Sequence, residues 1–237
     1  MYEINNKFKT LVYTRSGLND IFSNLSVFLK FFHDQKLPYE NLHISSPVYD
    51  QLPLFLDFKH IKYINTPDFN DYCLVSEACN GQYSNANKNN SFYISNFVSF
   101  KKNFIPKIDT DTTSIHLRFY LSEKKQMSYK QELEIYLQNI LSIYNKDEKY
   151  EIFSDANCES FLRENLPYDN ISYDMPSNSI NVSTTPFNNK DSLRRTNCLY
   201  SLQSLYKMAF SKKVYKTLGN FTSSCKIFNP DVTIKSF

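Results

Sequence analysis

The sequence predicts an α/β protein with mainly parallel sheets. Short apolar strands alternate with amphipathic helices along most of the chain, and this alternation is typical of parallel strands joined by crossover helices. Apolar residues make up 41% of the 237 residues, which is adequate for a packed core and allows one large domain or two small ones. A linker from Pro106 to Thr113 separates two alternating halves. We therefore predict an N-terminal domain at 1–108 and a C-terminal domain at 109–237.

The first half opens with a predicted strand at Lys9–Tyr13 and a helix whose N-cap we expect at Asn19 or Asp20. Gly17 lies in the turn between them. A glycine turn from a strand into a helix offers free backbone N–H groups and the positive end of a helix dipole, which favour an anion. The alternative is that Gly17 only makes the turn. Further strands are predicted at 42–44, 61–64 and 72–75.

The second half opens with a half-buried strand at Ser114–Tyr120 that carries His116 and Arg118. Residues two apart in a strand share a face, so both side chains should point the same way. Ligands of open α/β sheets bind at the carboxyl ends of the strands, so a cation there would suit an anionic ligand. Each residue has an ordinary alternative. His116 could be a satisfied strand histidine, and Arg118 could be a salt-bridged surface residue.

The remaining elements continue the same alternation. Ser128 starts a capping box and an apolar helix, and a strand at 150–153 ends next to Asp155. A short helix, a strand at 171–173, a polar loop at 177–190 and a helix capped at Asp191 or Ser192 come next. The last strand, 213–217, turns at Gly219 into a final helix that begins near Thr222 and Ser223. Asp155, Thr222 and Ser223 could each be a plain helix cap.

Composition narrows the function classes. A net charge of +3 is too mild to indicate nucleic acid, yet it is compatible with a phosphorylated small molecule. The five cysteines are scattered and form no Cys-x-x-Cys pair, so neither a disulfide framework nor a zinc site is predicted. No apolar run is long enough to span a bilayer, and the first residues lack the layout of a secretory signal, so we expect a cytoplasmic protein.

Four tracts, in order along the chain, resemble the fucosyltransferase superfamily, whose α1,2-, α1,6- and protein O-fucosyltransferases use GDP-fucose. Residues 16–20, Ser-Gly-Leu-Asn-Asp, resemble the family's Gly-Gly-Leu-Gly-Asn-Gln turn. Residues 116–120, His-Leu-Arg-Phe-Tyr, resemble its His-x-Arg-Arg-Gly-Asp signature. Residues 153–156 resemble its Phe-Ser-Asp-Asp strand end, and 199–224 resemble its closing helix, strand and Ser/Thr-rich turn.

The resemblance implies a GT-B-like fold of two Rossmann-like halves and an inverting, metal-independent glycosyltransferase without a cofactor. Its donor would be a nucleotide sugar, best matched by GDP-fucose, and its acceptor a glycan. By carry-over, Arg118 would be the catalytic group that grips the pyrophosphate, His116 would lie against the nucleoside, and Asp155 would accept hydrogen bonds from guanine. Thr222 and Ser223 would bind phosphate oxygens. Gly17 and Asn19 would contact the donor from the other domain.

The tracts also depart from the family pattern. The second glycine of the first motif is missing, as are the second Arg, the Gly and the Asp of the central motif. A catalytically silent nucleotide- or glycan-binding module therefore stays an alternative. A second alternative is a metal-dependent transferase of another nucleotide sugar, because Asp109-Thr110-Asp111 has the Asp-x-Asp form that binds Mn²⁺ or Mg²⁺. The acceptor hydroxyl needs a base, and three acidic residues are the candidates: Asp20, Glu77 and Asp155.

Overall fold

The chain divides into two compact units in a computed structural model that describes residues 9–15, 17–77, 94–175 and 197–237. The described residues of the first unit lie within 1–105, 194–198 and 223–230, and those of the second within 106–193, 199–222 and 231–237. The main division at 105/106 is near the predicted boundary at 108/109. The sequence did not predict that residues 223–230 belong with the first unit.

A four-stranded parallel sheet forms the centre of the first unit, with strand order β4-β2-β1-β5. Leu11, Val12 and Ile44 are fully buried in it, and Leu25 and Leu29 of the long helix α1 are buried as well, as an amphipathic helix on a parallel sheet requires. The elements are β1 Thr10–Tyr13, α1 Leu18–Asp34, β2 Leu42–Ser45, α2 Leu52–Phe55, β3 Leu56–Phe58, β4 Lys62–Tyr63, β5 Leu74–Glu77 and β6 Val98–Phe100.

Two features of the first unit differ from the sequence prediction. The helix α1 has Gly17 as its N-cap, because the Asp20 carboxylate reaches back to accept the Gly17 N–H at 3.3 Å. Asp20 is thus the third helical residue and not the cap. In addition, β3 and β6 form an antiparallel pair that the sequence did not predict, since each strand has only three residues and shows no clear alternation.

The second unit is built on a five-stranded parallel sheet with strand order β11-β10-β7-β8-β9. Its central strand β7 is buried along its whole length, and a core cluster packs one face of the sheet against α4, where Leu133 and Ile140 are buried. The elements are β7 Thr112–Leu117, α3 Tyr120–Glu123, α4 Tyr129–Ile143, β8 Lys149–Ser154, α5 Glu159–Asn165, β9 Ile171–Asp174, α6 Cys198–Ala209, β10 Lys213–Lys216 and β11 Ile234–Ser236.

The predicted elements of this unit hold with three corrections. The strand β7 ends at Leu117, so Arg118 is the first residue beyond the strand and does not share a strand face with His116. The final helix is a 3₁₀ helix at Phe221–Ile227. The edge strand β11 was not predicted. The predicted loop at 177–190 and the caps at Asp191 and Ser192 lie outside the described residues.

The observed architecture confirms the predicted α/β class with mainly parallel sheets. Among the helices of the described ranges, none has both the length and the apolar character needed to cross a membrane.

Candidate functional site

The carboxyl edge of the second sheet carries the residue that the sequence analysis singled out. Arg118 directly follows β7, the central strand, while Asp155 follows β8 on one side and Thr217 follows β10 on the other. Parallel strands all end at the same edge, so three neighbouring strands deliver these side chains to one place. The sequence predicted this for Arg118 and Asp155, and it missed Thr217.

The main chain of Arg118 is fixed by side chains on both sides. Its N–H donates to Thr217 Oγ1 at 2.7 Å, and its carbonyl oxygen lies 2.5 Å from the Tyr136 hydroxyl. The Tyr136 hydroxyl is also 2.6 Å from Glu132 Oε1. Burial, followed by the contact with Glu132, raises the pKa of Tyr136, so this hydroxyl stays protonated and remains a donor. These contacts hold the main chain of Arg118 at the strand end.

The side chain of Glu132 stabilises the segment that directly follows Arg118. This carboxylate is fully buried, and it accepts the backbone N–H groups of Leu121 at 3.0 Å and Ser122 at 2.8 Å. A buried carboxylate is tolerated when several donors satisfy it, and Glu132 has two amides and the Tyr136 hydroxyl. Glu132 therefore ties helix α4 to the helix α3, which begins two residues after Arg118.

The guanidinium of Arg118 lies between two carboxylates. Its Nη1 contacts Asp155 and its Nη2 contacts Glu123, with side-chain exposures of 26% for Arg118, 23% for Asp155 and 19% for Glu123. Asp155 also accepts the N–H of Phe119 through Oδ1 at 3.3 Å. One positive and two negative side chains give this cluster a formal charge of −1, so a ligand with phosphate groups meets an arginine whose charge is already compensated.

Gly219 closes the site from the β10 side. Its φ of +107° is one that residues with a side chain rarely adopt, and a Cβ at this position would lie 3.3 Å from Arg118 Cγ. Lys216 Nζ donates to the Gly219 carbonyl at 2.8 Å. The glycine is therefore needed both for the turn and for the close approach to the arginine stem.

His116 and Thr222 form a buried pair in the same unit. His116 Nδ1 and Thr222 Oγ1 are 2.9 Å apart, and the His116 ring packs on Phe221 with centroids 5.2 Å apart. His116 is 5% exposed and Thr222 only 1%. Burial, and then the charges of Arg118 and Lys216, lower the pKa of His116 to about 3. The Thr222 hydroxyl is thus engaged with a buried histidine, and the phosphate contact expected of it stays a prediction.

Three predicted donor-binding residues belong to the first unit, and they are Gly17, Asn19 and Ser223. Gly17 has an ordinary φ of −72°, and an added Cβ would meet no atom within 4 Å. The turn thus does not require a glycine, and the space in front of it is open. Asn19 accepts a hydrogen bond from the Ser224 hydroxyl at 3.1 Å, while Ser223 is exposed. The ligand contacts of Gly17, Asn19 and Ser223 stay predictions.

The three candidates for the base that accepts the proton of the acceptor hydroxyl have different structural surroundings. Asp20 accepts the Gly17 N–H at the start of α1, and Asp155 is engaged with Arg118 and Phe119. Glu77 is the last residue of β5 and pairs in register with Tyr13, which places its main chain at the carboxyl edge of the first sheet. The guanine contact of Asp155 stays a prediction, and it would compete with the ion pair to Arg118.

The Asp109-Thr110-Asp111 tract lies at the N-terminal end of β7, whereas Arg118 lies at its C-terminal end. Asp109 Oδ1 accepts the N–H of Asp111 at 3.1 Å, and Asp109 Oδ2 pairs with Lys149 Nζ at 3.1 Å. The hydrogen bond from Lys149 lowers the pKa of Asp109. The tract precedes β7, whereas Arg118 follows it, so the two are at opposite edges of the sheet. Within the ranges that the structure describes, no three His, Cys, Asp or Glu side chains group as metal ligands.

Sequence reasoning missed four residues that build the site: Glu123, Glu132, Thr217 and Gly219. Glu132 could have been found, because it lies four residues before Tyr136 and eight before Ile140, on the apolar face of its helix. Gly219 was placed in a turn, but its closeness to Arg118 depends on the pairing of β10 with β7. No local pattern marks Glu123.

Comparison with known proteins identifies the fold. No protein-family model matches the sequence, and no curated protein matches it. A crystal structure of NodZ alpha-1,6-fucosyltransferase soaked with GDP-fucose matches with a TM-score of 0.57 and 12% identity, covering 94% of this chain and 94% of that chain. A selenomethionine structure of the fucosyltransferase NodZ from Bradyrhizobium matches with a TM-score of 0.58 and 12% identity over 94% and 93%. These likenesses confirm the predicted GT-B fold.

Proposed function

We propose that this chain, with the GT-B fold as its framework, is an inverting glycosyltransferase that moves a sugar from a GDP-linked donor to a hydroxyl of a glycan. Fucose is the best match for the sugar. The observation that carries the proposal is Arg118, which stands at the carboxyl end of the central strand of the second sheet in a fold shared with a GDP-fucose-soaked fucosyltransferase structure. A guanidinium at that place suits a diphosphate.

The transfer breaks the bond between the anomeric carbon of the sugar and the β-phosphate oxygen. The electron pair leaves with GDP, and negative charge builds on the β-phosphate. Arg118 would stabilise that charge, and its backbone hydrogen bonds to Thr217 and Tyr136 hold it in position beforehand. Removing one such group typically costs about 3 kcal/mol, or about two decades in rate. In this scheme the chemistry proceeds without a metal.

The acceptor hydroxyl forms the new bond from the opposite face of the sugar, which inverts the anomeric configuration, and its proton passes to a base. Asp20, Glu77 and Asp155 are the candidates. Gly17, Asn19 and Ser223 are the remaining residues that we propose to contact the donor.

One observation favours a second candidate function. Glu123 and Asp155 already compensate the charge of Arg118, as expected if the arginine only braces the strand end. A nucleotide- or glycan-binding module without transfer activity fits that arrangement.

Calorimetric titration of GDP, UDP and CMP, each with and without EDTA, tests the proposal. We expect GDP to bind and the chelator to leave its affinity unchanged. UDP binding that EDTA abolishes would instead support a metal-dependent transferase of another nucleotide sugar. A hydrolysis screen of nucleotide sugars then separates the two remaining candidates, because the silent module would bind GDP without releasing sugar from any donor.

A further inference from the structure

The charge of Arg118 is already compensated inside the protein, which makes this arginine a weak anchor for a diphosphate by itself. Its Nη1 contacts the carboxylate of Asp155, and a single carboxylate is enough to neutralise one guanidinium. The next residue, Phe119, adds no charge, because its ring is buried and stacks on Tyr129 with the centroids 4.4 Å apart. A ligand with two phosphate groups would therefore bind better if a further cation lay nearby.

Lys124 is placed to be that cation. It directly follows α3, whose last residue, Glu123, contacts Nη2 of Arg118. The C-terminal end of this short helix thus lies beside the guanidinium. Consecutive Cα atoms are about 3.8 Å apart, and a lysine carries its ammonium on a long flexible stem. The ammonium of Lys124 can therefore reach a phosphate group that is bound at Arg118.

The Lys124 ammonium has an aromatic partner and no acidic one. It lies 5.6 Å from the centroid of the Tyr120 ring, which is a cation–π contact. The backbone N–H of Lys124 donates to the Tyr120 carbonyl at 3.0 Å, so the two residues are neighbours on one helical turn. Both side chains are exposed, and no carboxylate within the described ranges pairs with Lys124. The ring thus holds the ammonium without neutralising it.

We propose that Lys124 is a second cation for the diphosphate of the donor, and that Tyr120 is a positioning residue that holds its ammonium beside Arg118. This inference rests on the proposed function and concerns the same site. On binding, the ammonium donates hydrogen bonds to phosphate oxygens. A bare nucleoside has no phosphate and gains nothing from Lys124. Lys216, another lysine at this edge of the sheet, has a separate contact, because its ammonium donates to the Gly219 carbonyl.

The test compares Lys124→Gln with wild type in calorimetric titrations of GDP and of guanosine, in EDTA and at fixed salt. Lys146→Gln is the matched control. Lys146 is an exposed lysine of the same unit that precedes β8, at the opposite edge of the sheet, so the control removes the same charge away from the site. We expect Lys124→Gln to raise the Kd for GDP about fivefold, the upper range for one exposed charge pair. The Kd for guanosine, and both values for the control, should not change.

The comparison separates a phosphate contact from an effect on structure or on net charge. An unchanged Kd for GDP in Lys124→Gln overturns the inference. An equal loss for guanosine also overturns it, because the substitution would then have altered the structure of the site, and so does an equal loss of GDP affinity in the control. In each case the proposed function survives as long as wild type binds GDP. Failure of the wild type to bind GDP overturns both.

A double-mutant cycle tests the role of Tyr120. Tyr120→Leu removes the ring and should raise the Kd for GDP about twofold, the scale of an exposed cation–π contact, whereas Tyr120→Phe keeps the ring and should bind as wild type does. In the Lys124→Gln background, Tyr120→Leu should have no further effect. An equal loss in both backgrounds would show that the ring acts without Lys124 and would overturn its positioning role. Each variant is titrated after its melting curve has shown that it is folded, as we expect for exposed side chains.

Discussion

Gly219 lies so close to Arg118 that a Cβ placed on it would be 3.3 Å from the arginine Cγ. The two residues are distant in sequence and meet because β10 and β7 are neighbours in the sheet, with Lys216 in register with His116. The contact confines the stem of Arg118 from the β10 side, while Asp155 and Glu123 bind its guanidinium. The position of the Arg118 side chain is therefore determined by residues that follow several neighbouring strands of the sheet.

Replacing Gly219 with alanine should destabilise the protein. The φ of +107° is strained for any residue with a side chain, and the new methyl group would press on Arg118. We expect Gly219→Ala to lower the free energy of unfolding by about 2 kcal/mol in urea titrations. Gly17→Ala is the control, since its φ is −72° and its Cβ would meet nothing; loss of a glycine cap should cost only about 0.5 kcal/mol. Equal effects of the two substitutions would contradict this explanation.

Removal of the buried Glu132 carboxylate should strongly destabilise the protein. Glu132→Ala leaves the amides of Leu121 and Ser122 without their acceptor and removes one of the two acceptors near the Tyr136 hydroxyl. We therefore expect a loss of about 3 kcal/mol in the free energy of unfolding. Glu134 is on the same helix and forms an exposed ion pair with Lys130 at 4.0 Å. Its replacement by alanine should change the free energy by less than about 0.5 kcal/mol. Chemical denaturation of both variants decides the point.

The contrast between Glu132 and Arg118 shows what the sequence could predict. Arg118 and Asp155 were found because each was predicted in or next to the end part of a short buried strand, and the strand ends of a parallel sheet share an edge. The parallel α/β class was predicted from the alternation of short apolar strands with amphipathic helices along the chain. Glu132 was not singled out. Its spacing to Tyr136 and Ile140 places it on the apolar face of α4, but the donors that satisfy its buried carboxylate come from another segment of the chain.

Other elements could not be predicted from the sequence, for related reasons. The strands β3, β6 and β11 have three residues each, which is too short for alternation to be recognised. The Glu123 contact with Arg118 depends on how α3 folds back on the strand end, and α3 has only four residues. The buried state of Thr222 was missed because a hydroxyl near a helix start fits a cap or a phosphate site equally well.

Acid should destabilise the fold through His116. Its usual pKa of 6.5 falls to about 3 in the folded protein, chiefly because of burial. Between pH 6.5 and about pH 3, His116 binds a proton only in the unfolded state. Its contribution to the free energy of unfolding is therefore fully present above pH 6.5 and decreases as the pH falls below that value. The loss should be about 2 kcal/mol between pH 6.5 and pH 5, at about 1.4 kcal/mol per pH unit.

The measurement is the free energy of unfolding at pH 7.5 and pH 5.0 for wild type and His116→Gln. Wild type should lose more stability than the variant by about 2 kcal/mol. His43, whose pKa is also lowered by burial, contributes equally to both proteins. The exposed His33 serves as a control, and His33→Gln should follow wild type. A variant with the wild-type pH dependence would show that His116 is not the group responsible.

Asp109 should be dispensable for nucleotide binding. It lies at the edge of the sheet opposite Arg118, where Lys149 and the N–H of Asp111 engage its carboxylate. We expect Asp109→Asn to bind GDP with the wild-type Kd, both in EDTA and in millimolar Mg²⁺ or Mn²⁺, by calorimetry. A metal-dependent loss of affinity in this variant would revive the Asp-x-Asp tract as a nucleotide-sugar site.

The most direct measurement is the Kd of GDP, in the presence of EDTA, for Arg118→Ala and Arg163→Ala. Arg163 is an exposed arginine of the same unit that pairs with Glu159, so its variant loses the same charge away from the site. We predict that Arg163→Ala binds GDP as wild type does, and that Arg118→Ala, shown to be folded by its melting curve, binds about 100-fold more weakly. Equal affinity of Arg118→Ala and wild type would contradict the assignment of the diphosphate to this arginine.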